Sequence, residues 1–197
     1  FLEVYGIDDE ITNMVNESEI YIVPIVNPDG HEVVLDQLNT MWRKNVADGD
    51  GNGFLNYNYG SPDGVDPNRN YGWEWGGDGS SGSLYEETYR GPEAFSEPET
   101  QAMRDLLASH HFATGITYHS YGELGLWPYA YSATSEAPDH EAMQELGTQM
   151  AMSIPKITGS GHYTPEQSNE LYPAAGITDD WAYGKHGIFS YTIELAQ

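Results

Sequence analysis

The sequence predicts an α/β fold: a mixed, mostly parallel central sheet flanked by helices. Three observations carry this reading. Residues 20–26 (IYIVPIV) form a near-continuous apolar run of strand length, as expected for a strand covered on both faces. Residues 115–121 (GITYHSY) and 188–195 (IFSYTIEL) are two more runs rich in aromatic and β-branched residues. Between the strands, residues 96–111 and 139–154 place apolar side chains at helical spacing.

In chain order, residues 7–18 are polar and mixed and read as the tail of a helix and a turn. The 20–26 strand closes on Asn27-Pro28-Asp29-Gly30, a turn by composition. Residues 31–41 have irregular apolar spacing and lead into Trp42-Arg43-Lys44-Asn45. Residues 46–83 are rich in Gly, Asn, Asp and Tyr, a long irregular stretch of the kind that is functional or mobile inside compact domains. The helix of 96–111 starts on Ser96 with Glu99 three residues on, a capping box, with Pro98 in the first turn and Met103, Leu106 and Leu107 along one face. In 139–154, Met143, Leu146, Met150 and Ile154 recur at helical spacing and read as core. Residues 159–175 read as loop. No internal repeat or linker divides the chain, so residues 1–197 are expected to form a single domain.

Charge narrows the function classes. There are 31 acidic residues against 7 Lys plus Arg, for a formal charge of −24. Such an excess repels nucleic acid and anionic membranes. It also suits a salty or extracellular setting, where self-repulsion is screened. Cysteine is absent, so neither disulfides nor thiolate chemistry is available. No apolar run reaches the 18 residues of a membrane span, and FLEVYG at the start shows no signal-peptide pattern.

A few residues stand out chemically. In the 188–195 strand, Glu194 falls on the face of Ser190 and Thr192, opposite Phe189, Tyr191 and Ile193. It is either a paired strand glutamate or a general base whose pKa is raised by an apolar site. His119, of seven histidines, lies within an apolar strand with polar neighbours at its end; it is either a hydrogen-bonded core residue or a metal ligand. Arg43, in WRKN, and Arg69, between Asn68 and Asn70, are two of only four arginines. Each serves either an ordinary ion pair or the bidentate grip of a carboxylate, with Asn68 as a neutral donor. Asp48, Asp50 and Asn52 alternate with glycine as in a calcium loop, although the twelfth position is Tyr59 rather than a bidentate acid; calcium and a plain Gly/Asp turn both remain open.

Taken together, GVDPNRNYG (64–72), ETYRGPEAFSEPET (87–100), ITYHSYG (116–122) and YPAAGITDDWAYG followed by YTIEL resemble the zinc metallocarboxypeptidases of the carboxypeptidase A/B type, of a bacterial or archaeal, carboxypeptidase T-like kind. NPDG and WRKN fit the same family in the same order. The resemblance implies a secreted zinc exopeptidase acting on the C-termini of peptides or proteins. His119 would be one zinc ligand and Glu194 the general base. Arg43 would polarise the scissile carbonyl, Asn68 and Arg69 would clamp the substrate carboxylate, and Tyr172 would close over the substrate. A cis peptide is implied at Ser120-Tyr121. Asp179 matches the pocket-floor position, where an acid implies preference for C-terminal Lys or Arg, and Asp180 matches a structural aspartate.

The sequence departs from the family at one decisive place. The other two zinc ligands belong to a His-x-x-Glu motif, and none of the seven histidines has a glutamate three residues on. The expectation is therefore a segment of a longer catalytic domain, lacking the N-terminal motif and the C-terminal helix and inactive alone, since a catalytic zinc needs three protein ligands. Two other readings stay in play. One is a non-catalytic module that grips peptide C-termini through Arg69, Asn68 and Asp179; the other is a structural domain with calcium in the Asp48 loop.

Overall fold

A computed structural model describes residues 3–197. A four-stranded mixed sheet runs through it, in the order β1-β4-β2-β3. The strands are β1 (Thr114–Ser120), β2 (Leu124–Trp127), β3 (Thr164–Gln167) and β4 (Phe189–Leu195). β1 lies parallel to β4 and β2 parallel to β3, while β2 and β4 are antiparallel. Two of the three pairings are thus parallel, as the alternation of strands and helices predicts.

Helices α1 (Asp9–Glu17), α2 (Pro28–Leu35), α3 (Pro98–Ser109), α4 (His140–Ser153), the short α5 (Ser168–Leu171) and α6 (Thr178–His186) complete the element order. α4 packs on β2 and β3, and α6 on β4. The core between sheet and α4 is aromatic, built from Trp127, Tyr129, Met143, Tyr183 and Tyr191, with Trp73 stacked on Tyr129. Met143 is fully buried as expected, whereas Leu146 sits at the helix margin. The odd-numbered residues of β4 face this core, leaving Ser190, Thr192 and Glu194 for the opposite face.

Several expectations need correction. Residues 20–26 do not form a strand; Ile20, Tyr21, Ile22, Val23, Ile25 and Val26 are between 40% and 75% exposed. A strand requires a neighbour to take its backbone N–H and C=O groups, and a cavity lies between this segment and β1, the outer strand of the described sheet. Tyr21 instead packs its ring on His110 and Phe112. NPDG is a helix start rather than a free turn: the Asn27 side chain accepts from Gly30 N at 3.0 Å and Pro28 takes the first helical position. The predicted capping box at Ser96 is also absent. α3 begins after Glu97, Ser96 Oγ donates to Glu97 and accepts from Asn70 Nδ2, and Glu99 accepts from Asn45 Nδ2. The demands of the buried Asn70 and Asn45 amides outweigh the local cap. Residues 159–175 contain β3 and α5 rather than loop alone.

Candidate active site

The site is built on neighbouring strands. His119 of β1 and Glu194 of β4 are register partners in a parallel pair, so both side chains project from the same sheet face. Glu194 is partly buried, and the removal of water raises its carboxyl above the ordinary range, opposed by the nearby charges of His119 and Arg43. The Ser120-Tyr121 peptide bond is cis, as is Pro128-Tyr129.

The irregular stretch supplies the cationic wall. Asp66 caps a single 3-10 turn (Pro67–Arg69), its Oδ1 accepting from Asn68 N at 3.0 Å. Its Oδ2 accepts from Arg43 Nε at 2.9 Å and pairs with Arg43 Nη2 at 2.7 Å, with Arg69 Nη1 3.9 Å away. This carboxylate holds the Arg43 guanidinium and raises its pKa. Arg69 is only 3% exposed, and donates to Gly79 O (2.8 Å) and Asn68 O (2.6 Å). Among the described residues nothing accepts from its Nη2. Asn68 Oδ1 accepts from Thr178 N and Oγ1, which leaves the amide Nδ2 without a protein partner among the described residues. Lys44 next to Arg43 turns the other way and is wholly buried, its ammonium donating to Leu84 O at 2.9 Å and Asp63 O at 3.3 Å. That anchor fixes the backbone from which Arg43 projects.

Arg43, Asn68, Arg69, His119, Tyr172 and Glu194 all line one cavity of about 720 Å³. Tyr172 follows α5, is 49% exposed, and lies close enough to act electrostatically on Arg43. The cavity continues past these groups between β1, α3 and residues 21–27. Asp179 is placed differently. It sits in the first turn of α6 and is 2% exposed. Its carboxylate accepts from Ser190 Oγ and Thr192 Oγ1, and burial raises its pKa against those two donors. Asp180 accepts from Ala130 N and Tyr131 N and is pushed up to about 8 by burial.

Asp66 and Thr178 were not singled out in the sequence. The Asp-Pro pair before Asn68-Arg69 was the available signal for Asp66, being an N-cap followed by proline at the first helical position. Thr178 acts through a contact 110 residues away in sequence, which no local pattern reveals.

As a metal site the described residues are incomplete. Their one group of three or more candidate donors is Asp48, Asp50 and Asp63, far in kind from the nitrogen-rich set that suits zinc. His119 belongs to no such group, so it offers one of the three ligands a catalytic zinc takes. Asn52, grouped with Asp48 and Asp50 by sequence spacing, turns its amide onto Asp50 (Nδ2 to Oδ2, 2.8 Å), and Asp63 takes its place. Asp63 already accepts from Gly49 N and Asn56 N.

Comparison with known proteins agrees with this geometry. The family model for zinc carboxypeptidases, Peptidase_M14, matches residues 1–197. Carboxypeptidase A2 of Rattus norvegicus is 34% identical over 192 residues, covering 97% of this chain and 44% of the relative. Carboxypeptidase B of Astacus astacus is 34% identical over 194 residues, covering 95% and 59%. The crystal structure of thrombin activatable fibrinolysis inhibitor superposes with a TM-score of 0.82 at 33% identity, covering 98% of this chain and 47% of that one. The chain thus spans about half the length of the curated relatives it matches. With a match over its whole length and the characteristic groups lining one cavity, the chain belongs to the zinc carboxypeptidase family.

Proposed function

We propose that this chain supplies the substrate-gripping wall, the general base and one zinc ligand of a secreted metallocarboxypeptidase that hydrolyses the C-terminal peptide bond, with preference for C-terminal Lys or Arg. The observation that carries the reading is the convergence of Arg43, Asn68, Arg69, His119, Tyr172 and Glu194 on one cavity. A free carboxylate entering it meets the unused Nη2 of Arg69 and the amide of Asn68, a planar fork plus a neutral donor. Bound there, the peptide presents its last carbonyl toward Arg43, whose charge offsets the negative charge that develops on the carbonyl oxygen. Glu194 then takes a proton from the attacking water and returns it to the departing amine nitrogen as the C–N bond breaks. Tyr172 closes the open side.

Zinc, when bound, supplies Lewis-acid polarisation. In this reading His119 is one ligand and the other two come from residues outside these 197, so the chain alone is inactive. The missing His-x-x-Glu also favours a second reading, a non-catalytic module that grips peptide C-termini with the same cationic wall. Calcium at Asp48, Asp50 and Asp63 is a further, separate element of the proposal, tested by a calcium-dependent shift in melting temperature.

The test is calorimetric. A peptide ending in a free carboxylate binds this chain, and its C-terminal amide does not; equal affinity for the two rejects the clamp. Zinc content and hydrolysis by the longest natural product then separate the readings: one zinc per chain with release of the C-terminal residue supports the enzyme, and no zinc with retained binding supports the module.

A further inference from the structure

The short helix α5 separates two cavities. Ser168 and Leu171 line the one already described, while Asn169 and Glu170 line a second, of about 330 Å³, together with Glu136, His140 and Gln167. The polar groups of this second cavity are mostly acceptors. Gln167 is 6% exposed, and its Nε2 donates to Tyr129 O (2.9 Å) and Ser135 O (2.7 Å), so Oε1 is the unclaimed atom of a buried amide. Asn169 repeats the pattern: its Nδ2 donates to Ser132 O at 3.1 Å and Ser135 O at 3.0 Å, which leaves Oδ1. His140 Nδ1 is buried and has no partner among the described residues. Glu136 and Glu170 add two carboxylates, and the ion pairs among the described residues lie elsewhere, at Asp66 and Asp105. Burial, and after it the charge of Glu170, raises the carboxyl of Glu166 above its ordinary range, the second cause being negative charge crowded beside α5 without a counter-ion.

We propose that this second cavity binds an organic cation, a primary ammonium or a guanidinium, and that its occupant steadies the Tyr172 segment through α5. Such a group brings only donors, the complement of a wall of amide oxygens, carboxylates and an imidazole nitrogen. With a donor on Gln167 Oε1 and His140 Nδ1, polar atoms that folding withdrew from water regain a partner. The ligand's charge strengthens its bonds to Glu136 and Glu170. A bare metal ion suits the cavity less well. Glu136, His140 and Glu170 do not bring their donor atoms close enough together to share one, since Asp48, Asp50 and Asp63 are the only such group among the described residues. A volume of about 330 Å³ lies at the small end of ligand sites and fits a small amine. α5 is four residues long, so a ligand that holds Asn169 and Glu170 restrains Leu171 and Tyr172 on the far side. That coupling rests on the reading above, in which Tyr172 closes over a bound peptide; the cation site itself does not.

Agmatine is the probe, because it carries both cation types and no carboxylate for Arg69 to grip. Calorimetric titration is run on the 197-residue chain at about 0.15 M salt, where diffuse surface attraction is screened. The expected result is one agmatine bound per chain, with affinity about tenfold lower in Glu136→Gln and in Glu170→Gln and unchanged in Glu10→Gln on α1. Glu136 and Glu170 are exposed, so neither substitution threatens folding. The nitrogen NMR signal of His140 Nδ1 shifts in the same titration. An affinity that all three variants lower alike, or a stoichiometry well above one, reveals diffuse attraction to an acidic surface and overturns the site. Agmatine that binds regardless of Glu136 and Glu170 and competes with a peptide for the first cavity overturns it too. A second titration uses a peptide with C-terminal Phe and a free carboxylate. Its affinity rises about fivefold at saturating agmatine in the wild type and not in Glu170→Gln. Unchanged peptide affinity with agmatine bound overturns the coupling and leaves the site. A peptide that fails to bind with or without agmatine rejects the carboxylate clamp, and the coupling with it, while the agmatine titration still decides the site.

Discussion

His119 and Glu194 are direct register partners in the parallel β1–β4 pairing, side by side on one sheet face though 75 residues apart in sequence. The juxtaposition puts an imidazole beside a half-buried carboxyl that Arg43 also reaches electrostatically. Burial raises the Glu194 pKa, against the lowering influence of His119 and Arg43. In the proposed role of general base the carboxyl works only when ionised, so the acid limb of the assembled enzyme is expected at higher pH than for a solvated glutamate. In the metal-free chain, Arg43→Gln removes one lowering charge and moves the Glu194 titration to still higher pH. Carboxyl-carbon NMR titration reads this directly, and an unchanged or lower midpoint in the variant contradicts the arrangement.

The proposed clamp gives Arg69 two jobs, and substitutions separate them. Its Nε and Nη1 tie the 3-10 turn to Gly79 O and Asn68 O, and Nη2 remains for a ligand. Arg69→Lys keeps the charge but loses the fork. The expected outcome is a loss of about 1–3 kcal/mol in affinity for a free peptide carboxylate, with a smaller drop in stability. Calorimetric affinity and urea midpoints on the same samples check it; equal losses in both would mean that Arg69 is structural only.

Two glycines couple the arginine turn to the tyrosine segment. Gly79 has φ +72, and a Cβ there would lie 1.8 Å from Pro173 O, next to Tyr172. Gly176 has φ +75, and its Cβ would lie 2.4 Å from Arg69 O. Both positions demand the left-handed backbone and leave no room for a methyl. Gly79→Ala and Gly176→Ala are each expected to cost about 2–4 kcal/mol, measured by urea denaturation. Gly176→Ala also displaces Arg69 and weakens carboxylate binding, which Gly187→Ala, with nothing within 4 Å of its Cβ, does not.

Much of this was legible in the sequence because it is local. Strands β1 and β4 and helices α3 and α4 have periodicity and length enough to be read within a few residues of their bounds. α2 was missed because Asn27-Pro28 signals both a turn and a helix cap. β2 was missed because four residues, Leu124–Trp127, are too few to show a period. α6 was missed because Thr178–His186 is buried on nearly every side, so no polar face alternates with an apolar one. At the site, His119, Glu194 and the two arginines announce themselves by residue type. Asp66, Thr178 and the hydroxyls over Asp179 do not, since their roles come from strand register and loop closure rather than from neighbours in the chain.

Asp180 makes the stability of the fold depend on pH in a sense that can be worked out. Its carboxylate accepts backbone N–H bonds from Ala130 and Tyr131, yet burial and the adjacent Asp179 push its pKa from the ordinary 3.8 to about 8. Between those two values the unfolded chain has released this proton and the folded chain retains it. The folded state therefore binds more protons in that window, and stability falls as pH rises through it, levelling off above about 8. The contribution over the window is on the order of a few kcal/mol. Asp180→Asn cannot titrate, and its amide turns one N–H against the backbone donors, which costs about 1–3 kcal/mol. The variant is thus less stable than wild type at pH 5, and the gap narrows as pH rises to 9. Urea midpoints at pH 5, 7 and 9 measure the gap. Parallel curves for the two proteins would show that the wild-type carboxyl is already ionised in the fold, its backbone donors outweighing burial.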